Sequence, residues 1–157
     1  SPHLFWNDGE DQRSEFVTVD ETRCGKDLCK PMAGRGLAYA DIGGDGDLDV
    51  VITSVNDQPR LLRNDQQQEN HWIEIRLKGK NGNQDAFGAT ITVETANGSF
   101  ERLVSPTRSY LSQTQIPTNI GLGKTERIEK IVVKWPDGSI QELTEPGVDQ
   151  RLTIEQQ

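Results

Sequence analysis

Apolar side chains recur at every second position along most of this chain, and Gly, Asn, Asp or Pro interrupts each run. Ile73, Ile75 and Leu77 alternate with Glu74, Arg76 and Lys78. Ala89, Ile91 and Val93 alternate with Thr90, Thr92 and Glu94, and Ile131, Val133 and Trp135 with Val132 and Lys134. Leu152 and Ile154 repeat the pattern near the end of the sequence. A period of two places one set of side chains on one face of a strand, and no long 3.6-residue period competes with it. The chain is therefore predicted to be all-β. Asn97-Gly98 and Pro136-Asp137-Gly138 lie between such runs and supply turn residues, and Asn81-Gly82-Asn83 marks another bend. Residues 71–157 read as about seven short strands in an antiparallel sandwich or barrel.

Residues 1–64 read differently. Leu4–Trp6, Phe16–Val19 and Gly36–Ala40 are short strand-like runs, and Leu48–Val55 is almost continuously apolar. Pro2-His3-Leu4-Phe5-Trp6-Asn7-Asp8 and Pro59-Arg60-Leu61-Leu62-Arg63-Asn64-Asp65 share a loose repeat pattern. The polar stretch 65–70 reads as a linker between the two units.

Composition narrows the functional classes. The 157 residues carry 17 Lys and Arg against 25 Asp and Glu, a formal net charge of −8. Phosphate binding needs clustered cations, so nucleic acid is not an expected partner. No run approaches the ~20 apolar residues of a membrane helix, so membrane insertion is not expected. A chain that starts Ser1-Pro2 reads as a processed or excised product.

One segment concentrates chemistry. Asp41-Ile42-Gly43-Gly44-Asp45-Gly46-Asp47-Leu48-Asp49 holds four carboxylates in nine residues. A hard divalent cation would offset their repulsion, and calcium takes 6–8 oxygen ligands. Gly44 and Gly46 allow the sharp bend that would converge the carboxylates. Strand-like runs flank the segment, so it would cap a β-hairpin. An EF-hand would instead need a following helix and a Glu at loop position twelve, where Ile52 stands. We assign side-chain oxygens to Asp41, Asp45 and Asp49 and a backbone carbonyl to Asp47. Gly43 offers no side chain, which leaves its position to water or a neighbouring group. The competing reading is a solvated acidic turn.

Gly34-Arg35-Gly36-Leu37-Ala38-Tyr39-Ala40-Asp41, the acidic loop and Leu48-Asp49-Val50-Val51-Ile52-Thr53 resemble an FG-GAP or VCBS-type β-propeller repeat. The resemblance implies calcium bound within a blade, although Gly43 stands where that family carries Asp or Asn. Residues 71–157 resemble the ASPIC/UnbV domain through His71-Trp72-Ile73, Asn83–Ala89, Ser109–Gln113, Gly121-Leu122-Gly123 and Val133–Gly138. The combination resembles the cartilage acidic protein family and its bacterial relatives. It implies a secreted or surface-exposed protein with no established catalytic activity, of which this chain would be a C-terminal part preceded by several blades.

Cys24 and Cys29 are close enough in a polar segment for a disulfide in an oxidising compartment, which would contribute roughly 2 kcal/mol. Two free thiols are the alternative, and a zinc site fits less well with two histidines distant in sequence. Gly121-Leu122-Gly123-Lys124-Thr125 imitates a P-loop end, but Thr118 occupies the position of the required first Gly. Gly121 and Gly123 are better suited to a turn or bulge. Neither His3 nor His71 has a recognisable partner. Asn97-Gly98-Ser99 fits a glycosylation acceptor, though the hairpin turn accounts for it. Trp6, Trp72 and Trp135 are read as core or edge packing, with one sugar platform among them as an alternative. The expected function is a calcium-stabilised, non-enzymatic extracellular interaction or adhesion module with a protein or glycan partner. A carbohydrate-binding module and an accessory domain of a hydrolase or biosynthetic enzyme are the alternatives.

Overall fold

A computed structural model describes residues 2–7, 16–65 and 68–157. Asp8 of the loose repeat, and Gln66 and Gln67 of the expected linker, lie outside the described residues. Strands carry the fold, arranged in several sheets of which none closes.

The N-terminal part opens with β1 (Leu4–Asn7) paired antiparallel to β2 (Phe16–Val19). Two one-turn helices follow, α1 (Glu21–Cys24) and α2 (Lys26–Cys29). Asp20 caps the first by accepting the Thr22 N–H at 2.9 Å. Elements this short carry no periodicity, so the pattern of apolar residues does not reveal them. The strands β3 (Gly34–Ala40), β4 (Asp49–Ser54) and β5 (Arg60–Leu62) then form a three-stranded antiparallel sheet. Arg60 Nη1 donates to the carbonyls of Asp27 and Lys30 at 2.8 and 2.9 Å, fastening the helical segment to β5.

The remaining strands are β6 (His71–Lys78), β7 (Thr90–Thr95), β8 (Gly98–Leu103), β9 (Thr107–Ser109), β10 (Ser112–Gln113), β11 (Thr118–Gly123), β12 (Lys130–Lys134), β13 (Ile140–Thr144) and β14 (Gln150–Glu155). They give a sheet ordered β11-β6-β14, another ordered β13-β12-β7-β8, and the small β9–β10 pair. The alternating apolar sets meet in one core. Ile73, Ile75 and Leu77 from β6 join Ile91 and Val93 from β7, Ile120 from β11, Ile131 and Val133 from β12, and Ile154 from β14. Each fully buried aliphatic side chain contributes roughly 1.5–3 kcal/mol relative to exposure.

Two local expectations need correction. The pairing is not antiparallel throughout, because β14 lies parallel to β6, with Arg151 opposite Glu74 and Leu152 opposite Ile75. The connection from β13 crosses from one sheet to the other and enters beside β6 in the same direction. The β7–β8 turn is Ala96-Asn97, and Gly98 already pairs with Thr95 as a strand residue. Glu74, in the set of β6 that alternates with Ile73, Ile75 and Leu77, is buried as well.

The N-terminal part has little core of its own. Among the described residues up to Asp65, the buried hydrophobic side chains are Val19 and Ile52, alongside the carboxylates of Asp41 and Asp49. Apolar burial so sparse leaves this part dependent on contacts with the larger unit.

Candidate functional site: the acidic hairpin loop and the cleft beside it

The acidic segment caps the β3–β4 hairpin, whose last register pair is Ala40 with Asp49. Its bend depends on Gly44 and Gly46, at φ 77° and 92°, in the left-handed region that glycine enters without penalty. The bend turns successive backbone N–H groups inward onto Asp41. Asp41 Oδ1 accepts from Gly44 at 2.6 Å and Asp45 at 3.2 Å; Oδ2 accepts from Gly46 at 3.0 Å. Arg151, on β14, donates to the same Oδ2 from Nη2 at 3.1 Å. Asp49 is buried too, and accepts from the N–H of Ile42 at 3.0 Å and of Asn64 at 2.9 Å. Asp45 Oδ1 accepts the Asp47 N–H at 3.2 Å.

The electrostatics follow from this wiring. Burial opposes the charge on Asp41, but the Gly46 and Gly44 amides and the Arg151 guanidinium outweigh it and hold the carboxyl below its usual range. Asp47 shifts the other way. Burial raises its carboxyl, and the like charges of Asp45, Asp41 and Asp49 raise it further. The four carboxylates are thus near enough to repel one another.

The donor chemistry suits a hard cation, since every side chain in the set offers oxygen. The arrangement also has a defined limit. A carboxylate has about four acceptor sites, and the three amides and one guanidinium use those of Asp41. Asp49 retains a free lone pair on each oxygen. Among the described residues, no group of three or more His, Cys, Asp or Glu side chains is gathered so that it could hold a metal ion. Asp41, Asp45, Asp47 and Asp49 thus share one hairpin loop without being gathered into a metal-ligand set.

The loop is docked on the larger unit by residues remote in sequence. The Asp41 N–H donates to Gln115 Oε1 at 2.9 Å, and the Gln115 N–H donates to the Tyr39 carbonyl at 3.2 Å. Gln115 Nε2 reaches Asn119 Oδ1 at 2.8 Å and Glu74 Oε2 at 3.2 Å. Arg151 Nε lies 3.3 Å from Glu74 Oε1. Gly46 rests on the Trp72 indole, so that a Cβ there would fall well inside 3.0 Å of the ring. Sequence reasoning missed Arg151, Glu74 and Gln115. Glu74 occupies an outward-facing position of an alternating strand, which reads as solvated, and its partners lie 41 and more residues away.

Between loop and body runs an open cleft of about 790 Å³, lined among others by Asp45, Asp47, His71, Trp72, Lys124 and Asp149. His71 does have a partner, since its Nδ1 lies 2.7 Å from Asp149 Oδ2, while the Trp72 N–H donates to Asp149 Oδ1 at 3.1 Å. The Gly121–Thr125 segment ends strand β11. Its register shifts between Gly121 and Gly123 opposite Trp72 and His71, and Lys124 Nζ donates to the Glu69 carbonyl at 2.6 Å. A bulged strand end replaces the helix N-terminus that a phosphate loop needs. Of the tryptophans, Trp135 is buried, Trp72 borders the cleft, and Trp6 is exposed with the Arg23 guanidinium 5.8 Å from its ring centroid. Cys24 and Cys29 are free thiols here, with Sγ atoms 3.6 Å apart. The hydrogen bond shared with Cys24 raises the Cys29 thiol, followed by burial and nearby negative charge.

The fold and the loop together define a β-sheet protein with an acidic hairpin docked beside a polar cleft. The family model described as ASPIC and UnbV matches residues 79–157, and the chain belongs to that family. It is 31% identical over 111 residues to cartilage acidic protein 1 of Xenopus tropicalis, covering 68% of this chain and 17% of that protein. The cartilage acidic protein 1 sequences of Homo sapiens and Mus musculus are 28% and 27% identical over 126 residues, 78% of this chain and 19% of each. The chain thus spans less than a fifth of the length of these relatives.

The Asp41 wiring predicts an acid-sensitive loop. Its folded-state pKa lies below the unfolded value of about 3.9, so its stabilisation is present above that pH and is lost as pH falls through the depressed folded value. Urea denaturation in EDTA between about pH 2.5 and 6 is expected to show a steeper acid loss for the wild type than for Asp41→Asn. Parallel pH dependences would contradict the assignment.

Proposed function

We propose that this chain is part of a non-enzymatic, extracellular interaction module whose acidic loop binds calcium through Asp41, Asp45, Asp47 and Asp49. The observation that carries this reading is a carboxylate-rich hairpin loop fixed against the larger unit at the edge of an open cleft of about 790 Å³. The mutual repulsion felt by Asp47 supports it, because a bound divalent cation would offset that repulsion. The likeness of residues 34–53 to an FG-GAP or VCBS-type blade, and a sandwich reading of residues 71–157, belong to the same proposal. Relatives named for cartilage support an extracellular setting. So does the separation of the Cys24 and Cys29 thiols, which a small movement would bring to bonding distance in an oxidising compartment.

The test is calcium titration calorimetry combined with melting in calcium and in EDTA. Calcium at a hundredfold excess over its dissociation constant is expected to add about 2.7 kcal/mol, and Asp45→Ala should abolish that gain. Absence of both binding heat and melting shift would overturn the calcium assignment. The carbohydrate reading draws on Trp72 at the cleft beside Asn70 and Asp149. Tryptophan fluorescence unchanged across a panel of glycans, with no hits on a glycan array, would remove it.

A further inference from the structure

We propose that the cavity between β3 and the β8–β11 segment binds a small organic carboxylate through Arg102 and Arg108. The proposal uses none of the acidic loop's carboxylates and does not depend on the calcium reading.

The cavity holds about 320 Å³, and Tyr39, Leu48, Arg102, Arg108, Pro117 and Asn119 are among the residues that line it. That volume lies at the lower end of the ~300–1,000 Å³ range of small-molecule sites. Its walls come from segments remote in sequence: Tyr39 from β3, Arg102 from β8, Arg108 from β9 and Asn119 from β11. The Gln115 N–H, donating to the Tyr39 carbonyl at 3.2 Å, joins the two sides.

Charge sets this cavity apart from the cleft beside the acidic loop. In a chain with 25 Asp and Glu against 17 Lys and Arg, no Asp or Glu is among its lining residues. Its two arginines therefore make a local reversal of sign, which favours an anionic ligand. Arg102 Nη1 donates to the Glu101 carbonyl at 2.8 Å, and Arg108 Nη2 to the Leu103 carbonyl at 3.1 Å. The second bond brings the Arg108 guanidinium against the residue next to Arg102. Each head group keeps further N–H donors, and among the described residues neither has a carboxylate partner. Planar guanidinium forks match the two oxygens of a carboxylate.

The remaining walls suit an organic frame rather than a bare ion. Tyr39, Leu48 and Pro117 offer carbon surface. Asn119 Oδ1 accepts from Gln115 Nε2 at 2.8 Å, which sets the orientation of the amide. Its Nδ2 is a buried donor with no partner among the described residues. An acceptor oxygen of the ligand would complete it.

The experiment titrates the full chain in EDTA with acetate, benzoate, glutamate and glucuronate, followed by protein NMR, with glucose and inorganic phosphate as controls. The backbone amides of Arg102, Arg108 and Thr118 and the side-chain amide of Asn119 are expected to shift saturably, while Asp47 and Asp149 stay still. Arg102→Gln and Arg108→Gln should each weaken the tightest carboxylate by about tenfold. Both side chains are exposed, so the melting temperature should stay within about 2 °C of wild type. Raising NaCl to about 0.5 M should weaken wild-type binding several-fold. Absence of saturable shifts with every carboxylate, or affinities that neither variant changes, would overturn the proposal. Glucose binding as tightly as glucuronate would overturn the role of the arginines' charge. Phosphate binding as tightly as the best carboxylate would overturn the part given to the organic frame.

Discussion

Gly46→Ala is expected to lower the melting temperature by roughly 10 °C, corresponding to about 3 kcal/mol for a chain of this size. Two costs combine. The residue sits at φ 92°, where any side chain is strained by about 1–2 kcal/mol. A methyl group would also run into the Trp72 indole, which lies directly on the glycine. Gly82 separates the two effects, because it has the same φ of 92° and a Cβ added there would meet nothing within 4 Å. Gly82→Ala should therefore lose only the backbone part. Thermal unfolding followed by circular dichroism measures both variants. Equal losses would show that Trp72 yields freely and that the loop is not pinned by it. Trp72→Ala in the Gly46→Ala background should recover the steric share, which makes the contact itself measurable.

Trp135→Ala should be more damaging still, by about 3–5 kcal/mol, because it empties the largest fully buried side-chain position in the core. Trp135→Phe should cost under about 1.5 kcal/mol. Its smaller ring loses some packing, but the indole N–H has no hydrogen-bond partner among the described residues, so the substitution also removes an unsatisfied buried donor. Denaturant titration of the two variants checks the order. A phenylalanine variant as unstable as the alanine variant would show that the N–H has an unseen acceptor, such as a buried water.

The larger unit was legible because its physics is local. Alternation placed Ile73, Ile91 and Ile131 on inward faces, and each is fully buried. Pro136-Asp137-Gly138 marked a hairpin, and Gly138 takes the left-handed conformation at φ 88° with its N–H donating to the Trp135 carbonyl. The acidic loop was also located correctly between two paired strands. Pairing direction was not legible, because side-chain alternation is the same for parallel and antiparallel neighbours. The hidden charge network was missed for a related reason. Glu74, Gln115 and Arg151 look like surface residues on their own segments, and only the fold brings them to Asp41. His71 and Asp149 likewise meet across 78 positions.

Asp41 is synthesised 110 positions before the arginine that neutralises it. During translation, the early hairpin would emerge with Asp41 held by the amides of its own loop alone until β14 is made. Completion of the Asp41 ion pair is thus deferred until the partner strand has been made and has settled beside β6. Intermediates arrested before residue 151 should display an open, readily cleaved bend between Asp41 and Asp49, which makes limited proteolysis of stalled nascent chains a direct view of when the two units join.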